Sequence, residues 1–325
     1  SYTGGTTVNA GTLELAGQSG GNGWLRGAVT VNSGGTLLFS GGDGTGFGWN
    51  SPVTSLTVDG GTFDAAGGAH VGFGSYMTVA LNNGGTISGT GQWNGDGLLG
   101  FSSSGDSTNT INGSWNLRSD NGANHTFNVA DGAAATDLQV NAALGDQYPE
   151  VWWVSASALV KTGSGTMVLA GNNSYNGATI VSAGTLLVSG ALGDSAVSVN
   201  GGGFGGTGTV GSNLTINSGL FHVANLFDPL AVNGTISLFS GFGIDDLAGL
   251  DWGSVSVGTY TLITGTLGSG VFSGLSNNSL ASAYDIGGGR SAYFQEASLP
   301  IVVVPEPCAA LLGGLGMLAL LRRRR

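Results

Sequence analysis

The sequence predicts an all-β chain folded as a parallel β-helix, and three observations carry that prediction. Glycine supplies 64 of 325 residues, and each glycine inside a helix costs about 1 kcal/mol relative to alanine, so long helices are disfavoured. A short unit of the form apolar-x-apolar, Asn or Asp, Gly-Gly-Thr, apolar recurs along the chain. Ser1 to Gly17 also matches Ser174 to Gly190 at ten of 17 positions without a gap.

The units run in order. Val29 to Leu37, Leu56 to Phe63 and Val79 to Ile87 are the clearest; Val197 to Phe204, Leu214 to Phe221 and Leu230 to Ile236 are weaker. Alternation such as Val29 and Val31 is the period of a strand with one buried face. The Asn/Asp-Gly-Gly that follows tolerates positive φ and lets the chain corner. Thr12, Thr36, Thr62 and Thr86 open the next strands, 24, 26 and 24 residues apart. One such unit cannot bury its apolar face alone, but stacked units share a core. A spacing near 25 residues suits one coil. Solenoid repeats are thus expected over 1–225. Residues 92–158, which repeat poorly and hold Trp93, Trp115, Trp152 and Trp153, are expected to form irregular coils with wider loops. A C-terminal β cap over 226–300 follows, read from Gly258 to Ile263, Gly270 to Leu275 and Ser291 to Phe294.

Composition excludes several classes. Only 8% of residues are charged, there is one cysteine, and six prolines rule out a collagen. A disulfide-stapled domain is excluded, and so is charge-driven disorder, since 41% of the chain is apolar. Net charge is −11, and four of the eight basic residues are Arg322, Arg323, Arg324 and Arg325. The other four face 19 acids, a net −15 for the body, so no nucleic-acid partner is expected.

Leu159 to Gly190 resembles the autotransporter-associated, or passenger-associated, β-strand repeat. Lys161, Gly163 and Gly165 open the pattern; Gly171, Asn173, Tyr175 and Gly177 continue it; Gly184, Thr185 and Leu186 close it. Ser174 stands where the family usually has Thr. The first copy enters midway through the unit and retains Tyr2, Gly11, Thr12 and Leu13. The resemblance implies the right-handed parallel β-helix of surface proteins, the hand that parallel crossovers generally take.

The C-terminus reads as a sorting device over 301–325. Cys308 to Leu321 is an uncharged 14-residue run, short for a span, with Pro305, Glu306 and Pro307 before it and four arginines after it. Proline suits a helix start, so a short transmembrane helix is expected over 308–321. Its arginine tip would stay cytoplasmic. This order resembles the PEP-CTERM signal of Gram-negative bacteria. The resemblance makes Val304, Pro305, Glu306 and Pro307 the recognition motif and Arg322 to Arg325 the membrane stop. It implies processing by an exosortase-type membrane enzyme, transient inner-membrane anchoring, and release to the cell surface or an exopolysaccharide matrix. Export requires a leader that the chain does not show, so a mature form or a fragment is expected.

Little in the sequence speaks for chemistry. His70, His125 and His222 have no partner at metal-ligand spacing. His222, between Phe221 and Val223, is expected to point outward. Gly206, Gly208 and Gly211 match G-x-G-x-x-G outside any strand-to-helix turn. Gly41 to Gly44 hints at a calcium nonapeptide that does not recur, and Asp245, Asp246 and Asp251 read as a Ca²⁺ site or, more simply, a solvated loop. Asp59 aligns with Asn32, Asn82 and Asn200, so no acidic ladder forms for hydrolysis. The expected function is structural or adhesive, without cofactor, metal or catalytic residue, and with exopolysaccharide as a partner. Trp24, Trp49 and Trp93 read either as sugar-stacking platforms or as turn anchors. A β-helix polysaccharide lyase or hydrolase is the alternative.

Overall fold

The computed structural model describes residues 4–16, 24–41, 53–66, 72–73, 77–94, 98–118, 124–146, 158–295 and 299–306, with backbone alone for 72–73, 92–94 and 98–99. These residues build a parallel β-solenoid closed by a small antiparallel sheet.

Three faces run along the solenoid. On the first, Thr6–Val8 pairs with Gly27–Asn32, and the ladder continues through Val53–Asp59, Met77–Asn82, Leu98–Ser104 and His125–Val129. It goes on through Leu159–Thr162, Thr179–Val181 and Val197–Gly206, always in parallel. On the second face Gly11–Leu15 lies beside Gly35–Phe39, then Thr62–Ala65, Thr86–Asn94, Asn109–Ile111, Leu138–Val140, Thr166–Leu169 and Thr185–Val188. The third face is built of short strands such as Ser114–Arg118, Ala143–Asp146, Asn172–Asn173 and Ala191–Leu192. The predicted threonines are direct register partners, Thr12 to Thr36 to Thr62 to Thr86, and the column extends to Thr110.

Alternation sends every second residue inward. Val29, Leu56, Val79, Phe101 and Phe127 form one inner column, all buried, and the Phe101 and Phe127 rings pack 4.8 Å apart at a tilt of 56°. Leu37, Phe63, Ile87, Ile111 and Val140 form another on the second face. Burying apolar surface yields about 25 cal/mol per Å², and the buried residues make one cluster from Val8 to Val303.

The structure departs from the sequence-based picture in several places. The described part of 92–158 is laddered on both sides rather than irregular. Coil length is not uniform: Met167, Leu186, Phe204 and Phe221 are register partners only 19, 18 and 17 residues apart. These coils are short because their third face shrinks to two residues a strand. The stack also continues past residue 225, since Leu230–Leu238 and Ile263–Leu267 pair in parallel with it. Gly270 to Leu275 is not a strand. Gly270 has φ +78°, and Phe272–Gly274 forms a 3₁₀ turn in which Gly274 N–H bonds to Val271 and Leu275 N–H to Phe272.

The terminal sheet has the order Gly258–Thr261, Pro300–Pro305, Arg290–Phe294, Tyr284–Asp285. Pro300–Pro305 is a central strand, antiparallel to a neighbour on each side. Val304 and Pro305 are therefore ladder residues, opposite Ser291 and Arg290, and Glu306 N–H bonds to Gly289 at 2.9 Å. Proline costs this strand nothing, because it stands at the two ends, where a missing N–H is tolerated. Pro307, the expected 308–321 helix, Arg322 to Arg325 and Tyr2 lie outside the described residues. Among the described residues no helix is long and apolar enough to cross a membrane.

Candidate functional site

Of the repeat-signature residues, the structure turns Lys161, Asn173, Tyr175 and Leu186 inward. Lys161 sits in an inner column between Phe127 and Val181 and is fully buried. Its Nζ donates to the carbonyls of Thr162 (2.9 Å), Gly163 (2.9 Å) and Ala183 (3.1 Å). Burial lowers its pKa from 10.5 to about 8, against the opposing pull of the Asp137 carboxylate. Asp137 holds the same turn by its amides, accepting from Gly132 N–H at 2.8 Å and Thr166 N–H at 2.7 Å. Gly163 and Gly184 take φ +74° and +66° there. A Cβ on Gly184 would strike the Gly163 carbonyl and come within 2.6 Å of Lys161 Nζ, so only glycine fits.

Asn173 joins three coils. Its Oδ1 accepts from Leu144 N–H at 3.1 Å, and its Nδ2 donates to Gly171 (2.9 Å) and Ala191 (3.0 Å). Tyr175 is buried, its hydroxyl 2.7 Å from Thr179 Oγ1, which lies 2.8 Å from Ser195 Oγ. Burial pushes the phenol up to about 12. Gly165, Gly171 and Gly177 occupy close approaches or turns in the same unit, Thr185 N–H bonds to Gly165, and Leu186 is core. In the first copy Gly11 repeats the left-handed corner at φ +71°, Thr12 faces out and Leu13 packs on the core. The signature is thus a joint between coils, with the polar groups of Lys161, Asn173 and Tyr175 spent internally.

Sequence reasoning placed Lys161 in the repeat signature without saying which way it points. The signal was its parity: Leu159 points inward, and two residues on so must Lys161. A lone lysine in a polar-looking turn hid it.

What faces outward is a set of polar columns. At the first corner the amides bond along the ladder: Asn32 Nδ2 to Asn9 Oδ1 and Asn83 Nδ2 to Asp59 Oδ1, both at 2.7 Å. Ser104 Oγ donates to Asn82 Oδ1 at 2.7 Å, and Asn217 Nδ2 to Asn200 Oδ1 at 2.9 Å. Beside them run Thr7, Thr30 and Thr57 on the first face and Thr12 to Thr110 on the second.

The remaining candidates resolve locally. Trp24 is 45% exposed, whereas Trp115 is core and donates Nε1–H to Asn112 at 2.9 Å. Trp49, Trp152, Trp153 and His70 lie outside the described residues, as does the Trp93 side chain. His222 lies on the outer side of its strand, as expected, but its ring leans over Gly249 with Nδ1 buried, and burial lowers its pKa. His125 is buried. Asp246 accepts from Gly243 N–H at 2.8 Å and Asp251 from Gly253 N–H at 3.0 Å, so both fasten turns. Burial raises the pKa of Asp246. Among the described residues no group of three His, Cys, Asp or Glu is placed to hold a metal ion.

Residues 1–15 and 159–188 match the family model for the passenger-associated-transport-repeat. The chain is also similar to the adhesin BmaC autotransporter of Brucella suis biovar 1 (strain 1330), with 43% identity over 67 residues. That stretch is 20% of this chain and 2% of the adhesin. No solved structure matches.

Proposed function

We propose that this chain is an exported, non-enzymatic β-solenoid of a bacterial surface or exopolysaccharide matrix, working by adhesion. The observation that carries the reading is the division of labour just described. Lys161, Asn173 and Tyr175 are consumed in joining coils, and the outward surface is a regular array of hydroxyls and amides. Each such group trades a bond to water for one to ligand, for a net gain of about 1 kcal/mol, so useful affinity needs many contacts in parallel. A stack of coils supplies them. Passenger-type repeats and the matched adhesin segment support a surface location and an adhesive role.

The finer part of the proposal concerns the C-terminus. Val304 to Pro307 would be the motif read by an exosortase-type enzyme, 308–321 the transient span and Arg322 to Arg325 its cytoplasmic stop. Two measurements test the whole. Co-sedimentation with exopolysaccharide, without release of unsaturated or reducing ends, is the expected behaviour; turnover would move the protein to the lyase or hydrolase class. Mass spectrometry of the surface form should show loss of the apolar run, and an intact Arg325 would defeat the sorting proposal.

A further inference from the structure

We infer that the Thr12–Thr36–Thr62–Thr86–Thr110 column is the ligand track, and that it takes a neutral, linear polysaccharide lying along the solenoid axis; this rests on the adhesive reading above. Three observations on the second face point there. The five threonines are direct register partners on five successive coils, with no interruption. The matching column on the first face, Thr7, Thr30 and Thr57, breaks at Ala80.

The second observation is hydrogen bonding. The corner amides saturate one another along the ladder, as Asn32 with Asn9 and Asn83 with Asp59 do. Among the described residues no bond is made by the side chains of Thr36, Thr62, Thr86 or Thr110, and all four are partly exposed. Their hydroxyls are left to an outside partner. Threonine is stiff at χ1, so hydroxyl and methyl repeat together at the strand spacing of about 4.8 Å. That spacing is close to the advance of one sugar in an extended chain, so each coil can meet one sugar with a hydroxyl for its polar edge and a methyl for its ring face.

The third observation is charge. The next outward column on these strands reads Glu14, Leu38, Asp64 and Ser88, on a body that is acidic overall. An anionic polymer would meet Glu14 and Asp64 on alternate coils and the negative charge of the body as a whole, which favours an uncharged one.

The test uses the full chain, cellohexaose as the neutral probe and oligogalacturonate as the anionic one, with binding read by calorimetry and by amide shifts. Thr62→Val with Thr86→Val keeps the branched shape and removes two central hydroxyls. It should weaken cellohexaose binding about tenfold or more, while Thr62→Ser with Thr86→Ser retains it and Thr30→Val with Thr57→Val leaves it unchanged. Unaltered melting of each variant shows that folding is intact. Equal binding by all variants would overturn the track and leave adhesion standing. Preference for oligogalacturonate would overturn the neutral class. If the wild-type chain binds neither probe, the track is refuted, and co-sedimentation with native exopolysaccharide decides separately whether the adhesive reading falls with it.

Discussion

Replacing Lys161 by methionine isolates the work of a buried cation. Methionine fills the same stem, so packing changes little. It leaves the carbonyls of Thr162, Gly163 and Ala183 without the ammonium. A lost partner for a buried polar group costs about 1–3 kcal/mol. Against this stands the desolvation that lowers the lysine pKa from 10.5 to about 8. At about 1.4 kcal/mol per pH unit that is at most ~3 kcal/mol. Three orphaned carbonyls outweigh it, so Lys161→Met should destabilise the chain by about 2–4 kcal/mol at pH 7. The sign with pH is also fixed. Between about 8 and 10.5 the unfolded lysine holds a proton that the folded one has released, so wild-type stability rises across that window. Urea titrations from pH 7 to 10.5, with hydrogen exchange at the Ser182 and Thr185 amides, read both effects. Equal stability of wild type and variant at pH 7, or an alkaline rise that survives in the variant, would refute the reasoning.

Other predictions follow from the same joints. Above pH 10 the folded Tyr175 keeps its proton up to about 12 while the unfolded phenol ionises, so stability falls over that range; wild type should be most stable near pH 10, and Tyr175→Phe should lose the descending limb in alkaline melts. Asn173→Ala abandons one buried amide and two carbonyls on three coils and should cost about 3 kcal/mol, with hydrogen exchange rising at Leu144 before distant strands. A chain ending at Glu306 should keep the terminal sheet, and one ending at Leu299 should lose it, because Pro300–Pro305 is paired on both edges; equal melting of the two would contradict that topology.

The parallel stack was legible because Val29 and Val31, Leu56 and Val58, and Val79 and Leu81 alternate with outward residues and Asn/Asp-Gly-Gly corners recur at one offset, so the threonine alignment fell directly onto the observed register. Coil width was not legible. It depends on how much third face each coil builds, and the short strands Asn172–Asn173 and Ala191–Leu192 are too brief to leave a period. The position of Gly270 to Leu275 was missed because apolar residues near glycine fit a strand as readily as a 3₁₀ turn. The role of Lys161 was hidden by the habit of placing charge in water, although its carbonyl partners satisfy it inside. The aligned threonines of the second face were readable from their spacing.

The alternation of inward and outward residues has a consequence for how such a chain can diversify. Cohesion resides in main-chain ladders and in every second side chain, so the intervening positions form a separate text. That text can be rewritten one column at a time, altering what the rod recognises while its scaffold is inherited unchanged.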